Sequence, residues 1–258
     1  MRNVMKAMNY QIIRDNFLIY SIIAGIVPMI SIFANGFDEL NGGMAIVTIS
    51  SGISVFMGIA LVILVPRICG WDYTDKTMNY EILAGHKRAD VFWGRALLSI
   101  VWGLSVAVIT VGLPIIIVSL IFGWGNNLDL GNTVLRFVLV IFPLFRLICE
   151  LTLITFLLRN CYGTMICGYM YIMFSTMAVM FAEEFGKFKF TTQLSVANAM
   201  RLLEFSNYTM GFVDGEDVYI YESAVESGFV IETIAVSLIG GIICLLIGHF
   251  VFKKSDVN

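Results

Sequence analysis

Apolar residues run through this chain in long unbroken stretches, and charged residues collect in the gaps between them. Six stretches are long enough to cross a hydrocarbon core of ~30 Å as helices. They are Phe17–Ala34, Met44–Ile68, Ala96–Phe122, Val134–Leu158, Tyr162–Ala182 and Phe229–Phe252. Ahead of the first, residues 1–16 place Met5, Met8 and Ile12 on one helical face and Arg2, Lys6 and Arg14 elsewhere. That pattern predicts a helix lying in the membrane interface. Between the second and third stretches, residues 67–95 form the longest charged interval that still reads as a helix. Asp75 to Ala84 are good helix formers, Met78 and Ile82 lie four apart on the face of Asp75, and Gly85 falls where a left-handed stop belongs. Asp90 is placed to cap the helix that follows.

The segment 183–228 is the one sizeable region outside the spans on the other side. It carries Glu183, Glu184, Glu204, Asp214, Glu216, Asp217, Glu222 and Glu226, and Val196, Met200 and Leu203 recur in it at helical spacing. The spacing predicts a short amphipathic helix over Ser195–Phe205, on or dipping into the leaflet. The expectation is therefore an all-α membrane protein whose 258 residues form a single domain. It has six transmembrane helices, an N-terminal interfacial helix, a helix in the 67–95 loop, and a helical extracellular or re-entrant segment between spans five and six.

Composition agrees with the pattern. Hydrophobic residues make up 59% and charged residues 14%, against ~25% charged in a soluble domain, and mean hydropathy is +0.87. The net charge of −3 is divided by side rather than gathered in one basic patch, which argues against nucleic acid. Arg2, Lys6 and Arg14 precede span one. Arg67, Lys76, Lys87, Arg88 and Arg95 occupy the 67–95 loop, Arg159 follows span four, and Lys253 and Lys254 end span six. By the positive-inside rule both termini and the 67–95 loop are cytoplasmic. No small-residue cleavage site ends the first apolar run, so the first span is expected to act as the targeting signal. The five cysteines suggest neither a disulfide framework nor a zinc motif.

Two charges interrupt the fourth span. Arg146 and Glu150 share one helical face at i, i+4 spacing and can pair. A lone charge at the bilayer centre costs ~3 kcal/mol on insertion scales, so the pair is expected to face other helices or a wet cavity. It either gates or lines a path, or fixes helix packing. Tyr169–Phe181, rich in methionine and aromatics, reads as an apolar interior compatible with an amphipathic ligand or with ordinary packing. No phosphate-binding loop, GxSxG or HExxH motif is present.

The 67–95 loop carries a resemblance. Asp72, Thr77, Ile82-Leu83, Lys87-Arg88, Phe92 and Gly94-Arg95 follow the order of acid, threonine, apolar turn, basic pair, aromatic and Gly-basic pair. With the topology, this resembles an ABC transporter permease of the type-2 exporter family, in particular bacterial lantibiotic-immunity or peptide-antibiotic export permeases. The chain departs from that pattern in having Asp where Glu is commoner, Lys76 for a glycine, and Lys87 for a serine. The resemblance implies a bacterial plasma-membrane transport subunit with no enzymatic activity or cofactor of its own. A separate ATPase subunit would bind ATP and Mg and couple through Asp72, Thr77, Met78, Tyr80, Glu81, Ile82 and Leu83. A second permease copy or a sister chain would complete the pathway within the lipid bilayer. Two other readings stay open. One is a proton-linked secondary carrier using Arg146 and Glu150. The other is a non-transporting sensor or assembly subunit that binds through 183–228.

Overall fold

The computed structural model describes residues 2–14, 41–75, 82–125, 128–186, 195–196, 202, 208–213, 216–221 and 227–254. Its elements in chain order are α1 (Arg2–Arg14), α2 (Gly42–Thr74), α3 (Arg88–Phe122), α4 (Leu130–Leu158), α5 (Cys161–Gly186), β1 (Tyr208–Val213), β2 (Glu216–Tyr221) and α6 (Ser227–Lys254). Helices α2 to α6 are each long and apolar enough to cross a membrane. They correspond to the second through sixth expected spans. The first, Phe17–Ala34, lies outside the described residues.

Helices α2 and α3 outrun their predicted spans the furthest. The 33 residues of α2 and 35 of α3 give lengths of about 50 Å at 1.5 Å per residue, well beyond the ~30 Å core. Residues 67–74 and 88–95, expected in the loop, are instead the ends of these helices. The connecting stretch shrinks to residues 75–87. Asp75 ends α2, its N–H bonded to the Trp71 carbonyl at 3.0 Å. Gly85 adopts the left-handed conformation with φ 89°, as the stop position requires. The cap of α3 is Lys87, which makes no side-chain cap bond, so Asp90 sits in the first turn rather than before it. There its charge still favours the positive helix end.

At the opposite end, the free N–H groups of α2 find partners in the turn after α3. Gly42 and Gly43 donate to the carbonyls of Gly123 and Trp124, both at 2.9 Å, and Asn41 Oδ1 accepts from the Met44 N–H at 2.8 Å. This satisfies donors a helix start leaves open. The turn from α4 to α5 is two residues long. Arg159 closes α4 in the left-handed region, and Asn160 Oδ1 accepts the N–H groups of Tyr162 and Gly163.

Helix α4 is the hub, packing against α2, α3, α5 and, most extensively, α6. The buried face of α6 is Thr233, Ser237, Gly241, Leu245, Gly248 and Phe252, mostly small residues. In a bilayer there is no hydrophobic drive between helices, so close backbone approach supplies the attraction. A Cβ at Gly241 would sit 2.6 Å from Phe145 Cε1, and one at Gly240 would sit 2.9 Å from Arg146 Cδ. Gly241→Leu is therefore expected to cost about 1–3 kcal/mol, read as a lowered unfolding temperature in mild detergent, while Ile242→Leu on the exposed face leaves that temperature unchanged.

Helix α5 corrects an expectation. Tyr169, Met170, Met173, Phe174, Met177, Met180 and Phe181 are all exposed; the buried edge runs through Cys161, Thr164, Gly168 and Val179. The methionine–aromatic stretch faces outward, because the smaller residues carry the helix contacts. The region between α5 and α6 also holds an element that the periodicity did not suggest. Strands β1 and β2 pair antiparallel, with Val213 opposite Glu216 and Tyr208 opposite Tyr221. Of the helix expected over Ser195–Phe205, only Ser195, Val196 and Leu202 are described; Val196 is helical, Leu202 is in a 3₁₀ turn, and all three are buried. The rest lies outside the described residues.

Candidate functional site

Basic residues mark one end of the bundle, formed by the C-terminal ends of α2, α4 and α6 and the N-terminal ends of α3 and α5. At that end the two extremities of the loop pattern meet. Asp72, in the last turn of α2, pairs with Arg95, two turns into α3, at 2.6 Å between Oδ2 and Nη2. The antiparallel α2–α3 hairpin creates this contact, bringing together residues 23 positions apart in the sequence. Arg95 is fully buried, whereas Asp72 keeps 16% of its side chain exposed. The Cys69 thiol donates to the Arg95 carbonyl at 3.8 Å, so the backbone of α3 is held beside the ion pair as well.

Phe92, one turn before Arg95, is the centre of an aromatic cluster. Its ring lies 4.8 Å from Phe156 of α4, 5.4 Å from His249 and 6.1 Å from Phe252 of α6. Tyr73 of α2 meets Phe156 edge-on at 6.1 Å. Gly248 leaves the room, since a Cβ there would come within 3.2 Å of Phe92 Cζ. Phe92 and Arg95 thus tie the loop's root on α3 to α2, α4 and α6 at once. One turn deeper, Ser99 and Thr152 hydroxyls share a hydrogen bond of 3.3 Å. Packing at this end therefore joins four helices, α2, α3, α4 and α6.

Of the expected coupling residues, Asp72 belongs to this cluster. Ile82 and Leu83 form a helical turn at the tip, with Ile82 half-buried and Leu83 79% exposed. Thr77, Met78, Tyr80 and Glu81 lie outside the described residues. Leu83 and Ala84 are both exposed at this tip.

Helix α1 docks beside this end. Trp102 Nε1 of α3 donates to Asn9 Oδ1 at 2.9 Å, and Met8 is buried against the bundle. The apolar face predicted for residues 1–16 is thus turned to α2 and α3, while Tyr10 and Ile13 stay exposed.

The second candidate lies inside the bundle. Arg146 Nε is 3.4 Å from Glu150 Oε1, with side chains 3% and 13% exposed. The pair faces α5 and α6 rather than the lipid side. The Arg146 stem fits the groove over Gly240, and Tyr171 of α5 lies beside the Glu150 carboxylate. Tyr171 was not foreseen from the sequence, because both faces of α5 are apolar and neither is marked as the inward one.

Arg136 lies in the second turn of α4. It is buried, and its Nη1 donates to the Leu202 carbonyl at 2.9 Å, joining α4 to the segment before the hairpin. No family model and no curated protein matches this chain.

Proposed function

We propose that this chain is the permease subunit of an ATP-driven exporter of the ABC type-2 class, with its basic end in the bacterial cytoplasm and its ATP and Mg bound by a separate ATPase subunit. The observation that carries this reading is the Asp72–Arg95 contact. It joins the first acid and the last base of the loop pattern and roots the loop in the aromatic cluster of Phe92, Phe156 and Phe252. A rigidly rooted tip that presents Leu83 is what a nucleotide-driven partner needs in order to move the spans. The work would be done by two such subunits, identical or sister chains.

The substrate reading is an amphipathic molecule, such as a peptide antibiotic, a lantibiotic or a lipid-like drug. An apolar recess of about 460 Å³ opens between α2, α3 and α4, lined by Val111, Ile115, Phe137, Val140 and Leu144 among others, and would suit its apolar part. The test is a mild-detergent pull-down of the tagged chain from its native membrane. A P-loop ATPase is expected to co-purify, and Leu83→Asp is expected to abolish that association without altering insertion. Reproducible recovery of an active chain alone would reject the reading.

The buried Arg146–Glu150–Tyr171 grouping favours one alternative, a proton-linked carrier. That alternative requires flux that survives ATP depletion and collapses with the proton gradient.

A further inference from the structure

The apolar recess between α2, α3 and α4 has a floor and two rims. Its floor is made of buried side chains from all three helices, Met57, Val111, Ile115, Val140 and Leu144. Its rims are exposed, Val108, Ile116 and Leu120 on α3 and Val134, Val138 and Ile141 on α4. The recess therefore opens sideways between α3 and α4, toward the hydrocarbon of a bilayer. Ser119 and Thr133 bring hydroxyls to the lining. Each donates to a backbone carbonyl one turn earlier, Ile115 at 2.7 Å and Asp129 at 2.8 Å.

Its dimensions select what can enter. On α4 the lining runs from Leu130 to Leu144, about 21 Å at 1.5 Å per residue. One leaflet of hydrocarbon is about 15 Å deep, half of the ~30 Å core, so the recess is at least as long as a leaflet is deep. A volume of about 460 Å³ drawn out over that length leaves a cross-section of about 20 Å². That suits one hydrocarbon chain, whose carbons keep contacts of ~3.5–4.0 Å. Trp124 lines one end, where tryptophan marks the edge of a bilayer. Water does not fill an apolar cavity of this kind, and lining atoms without neighbours forfeit their dispersion contacts. Hydrocarbon is the filling that a bilayer supplies. Gly112 adds to the room. Gly103, Gly168 and Gly241 admit neighbouring helices: a Cβ would stand 2.7 Å from Ile148 Cδ1, 2.7 Å from Leu151 Cδ2 and 2.6 Å from Phe145 Cε1, respectively. At Gly112, within α3 and on the recess, a Cβ would meet only Val108 Cγ1 of the same helix, at 3.9 Å, among the described residues. Glycine inside a helix costs about 1 kcal/mol against alanine, and no helix among the described residues requires it there. A ligand that approaches the backbone closely does.

We propose that this recess binds one unbranched acyl chain of a phospholipid, which enters sideways between α3 and α4 from the leaflet at the Trp124 end, and that Gly112 is the residue that admits it. The chain lies against Val111, Gly112 and Val140. This deepens the substrate reading of the same recess, from amphipathic molecules in general to those that carry an unbranched chain, and for export it rests on that reading. The binding itself needs only the bilayer.

The test is photolabelling of the full chain in phosphatidylcholine vesicles. A small share of the phosphatidylcholine carries a diazirine midway along one acyl chain, and labelled peptides are identified by mass spectrometry. Label is expected in excess on the α3 and α4 residues of the recess, over exposed residues of α5 and α6 such as Met173, Met177, Ile239 and Ile243. Gly112→Leu fills the recess from within. It should lose that excess, while labelling of α5 and α6 and the unfolding temperature stay at parental values. Should Gly112→Leu not fold, Gly112→Ala decides, with a reduced excess expected. Even labelling of all four helices in the parent would overturn the proposal, as ordinary lipid contact, and that result needs no variant. Excess label that survives in folded Gly112→Leu would overturn it as well. A lowered unfolding temperature in Gly112→Leu, with no excess in the parent, would assign the recess to protein instead, either residues 17–34 or a second copy of the chain. The ATPase pull-down is a separate measurement, so acyl-chain binding can fail while the ATPase co-purifies, and the reverse.

Discussion

Asp72→Asn is expected to be the most destabilising single change at the basic end, and more so than Arg95→Met. Breaking a buried pair by removing one partner costs about 3–5 kcal/mol. The two partners are not equivalent. Arg95 is fully buried and stays charged at any working pH, so without the carboxylate its guanidinium cannot reach water. Asp72 is partly exposed next to a loop and can be hydrated when Arg95 is gone. The ordering is measured by thermal unfolding of purified variants in one detergent. A double replacement, Asp72→Leu/Arg95→Met, should recover most of the loss, because apolar pairs of similar volume often replace buried ions without penalty. If the double variant is stable yet fails to stimulate a partner ATPase, the pair transmits motion as well as holding the hairpin. If Arg95→Met proves the more damaging single change, the burial argument is wrong.

The second large effect concerns the pair within the bilayer. Arg146→Met and Glu150→Met should each lower stability by about 3–5 kcal/mol, as each leaves one charge among packed helices. The Arg146→Met/Glu150→Met double should lie close to the parent, since both charges leave together and the Gly240 groove accepts an unbranched side chain. That double variant separates the two roles open for the pair. Transport retained at parental levels means that Arg146 and Glu150 position α4 against α5 and α6. Transport lost in a stable protein means that the charges act on the substrate or on protons. Tyr171→Phe is the accompanying control, touching the carboxylate's surroundings without altering the ion pair.

The spans were legible because apolar length is a one-dimensional property, and lipid imposes it on every residue of a run. Which face of a span points inward was not legible. In α5 both faces are apolar, so the choice fell on packing, and Gly168 and Thr164 won it over the larger Met170 and Phe174. The Asp72–Arg95 contact was half legible. Both residues stood in the loop pattern, yet their meeting depends on the register of α2 against α3, which apolar runs do not specify. The same register carried helix structure past the expected span ends, since the pair and the Phe92 cluster shelter residues that look like loop by charge alone. The hairpin was missed despite a usable signal. Asp214-Gly215 separates two β-prone stretches by two residues, a pairing that favours tight hairpin connections. Acidic content drew attention to the segment's charge rather than to its alternation. The acceptor of Arg136 on Leu202 lies 66 residues away, beyond any local pattern.

The bond between Asn9 and Trp102 spans 93 residues, and synthesis has a direction. At ~5–20 residues per second on the ribosome, Trp102 is added about 5–20 s after Asn9. Throughout that interval α1 exists without the helix it will dock on. Its apolar face has to be sheltered by the membrane surface first and by protein second. Helix α1 is thus a waiting element, gathered onto the bundle only once α3 has been made.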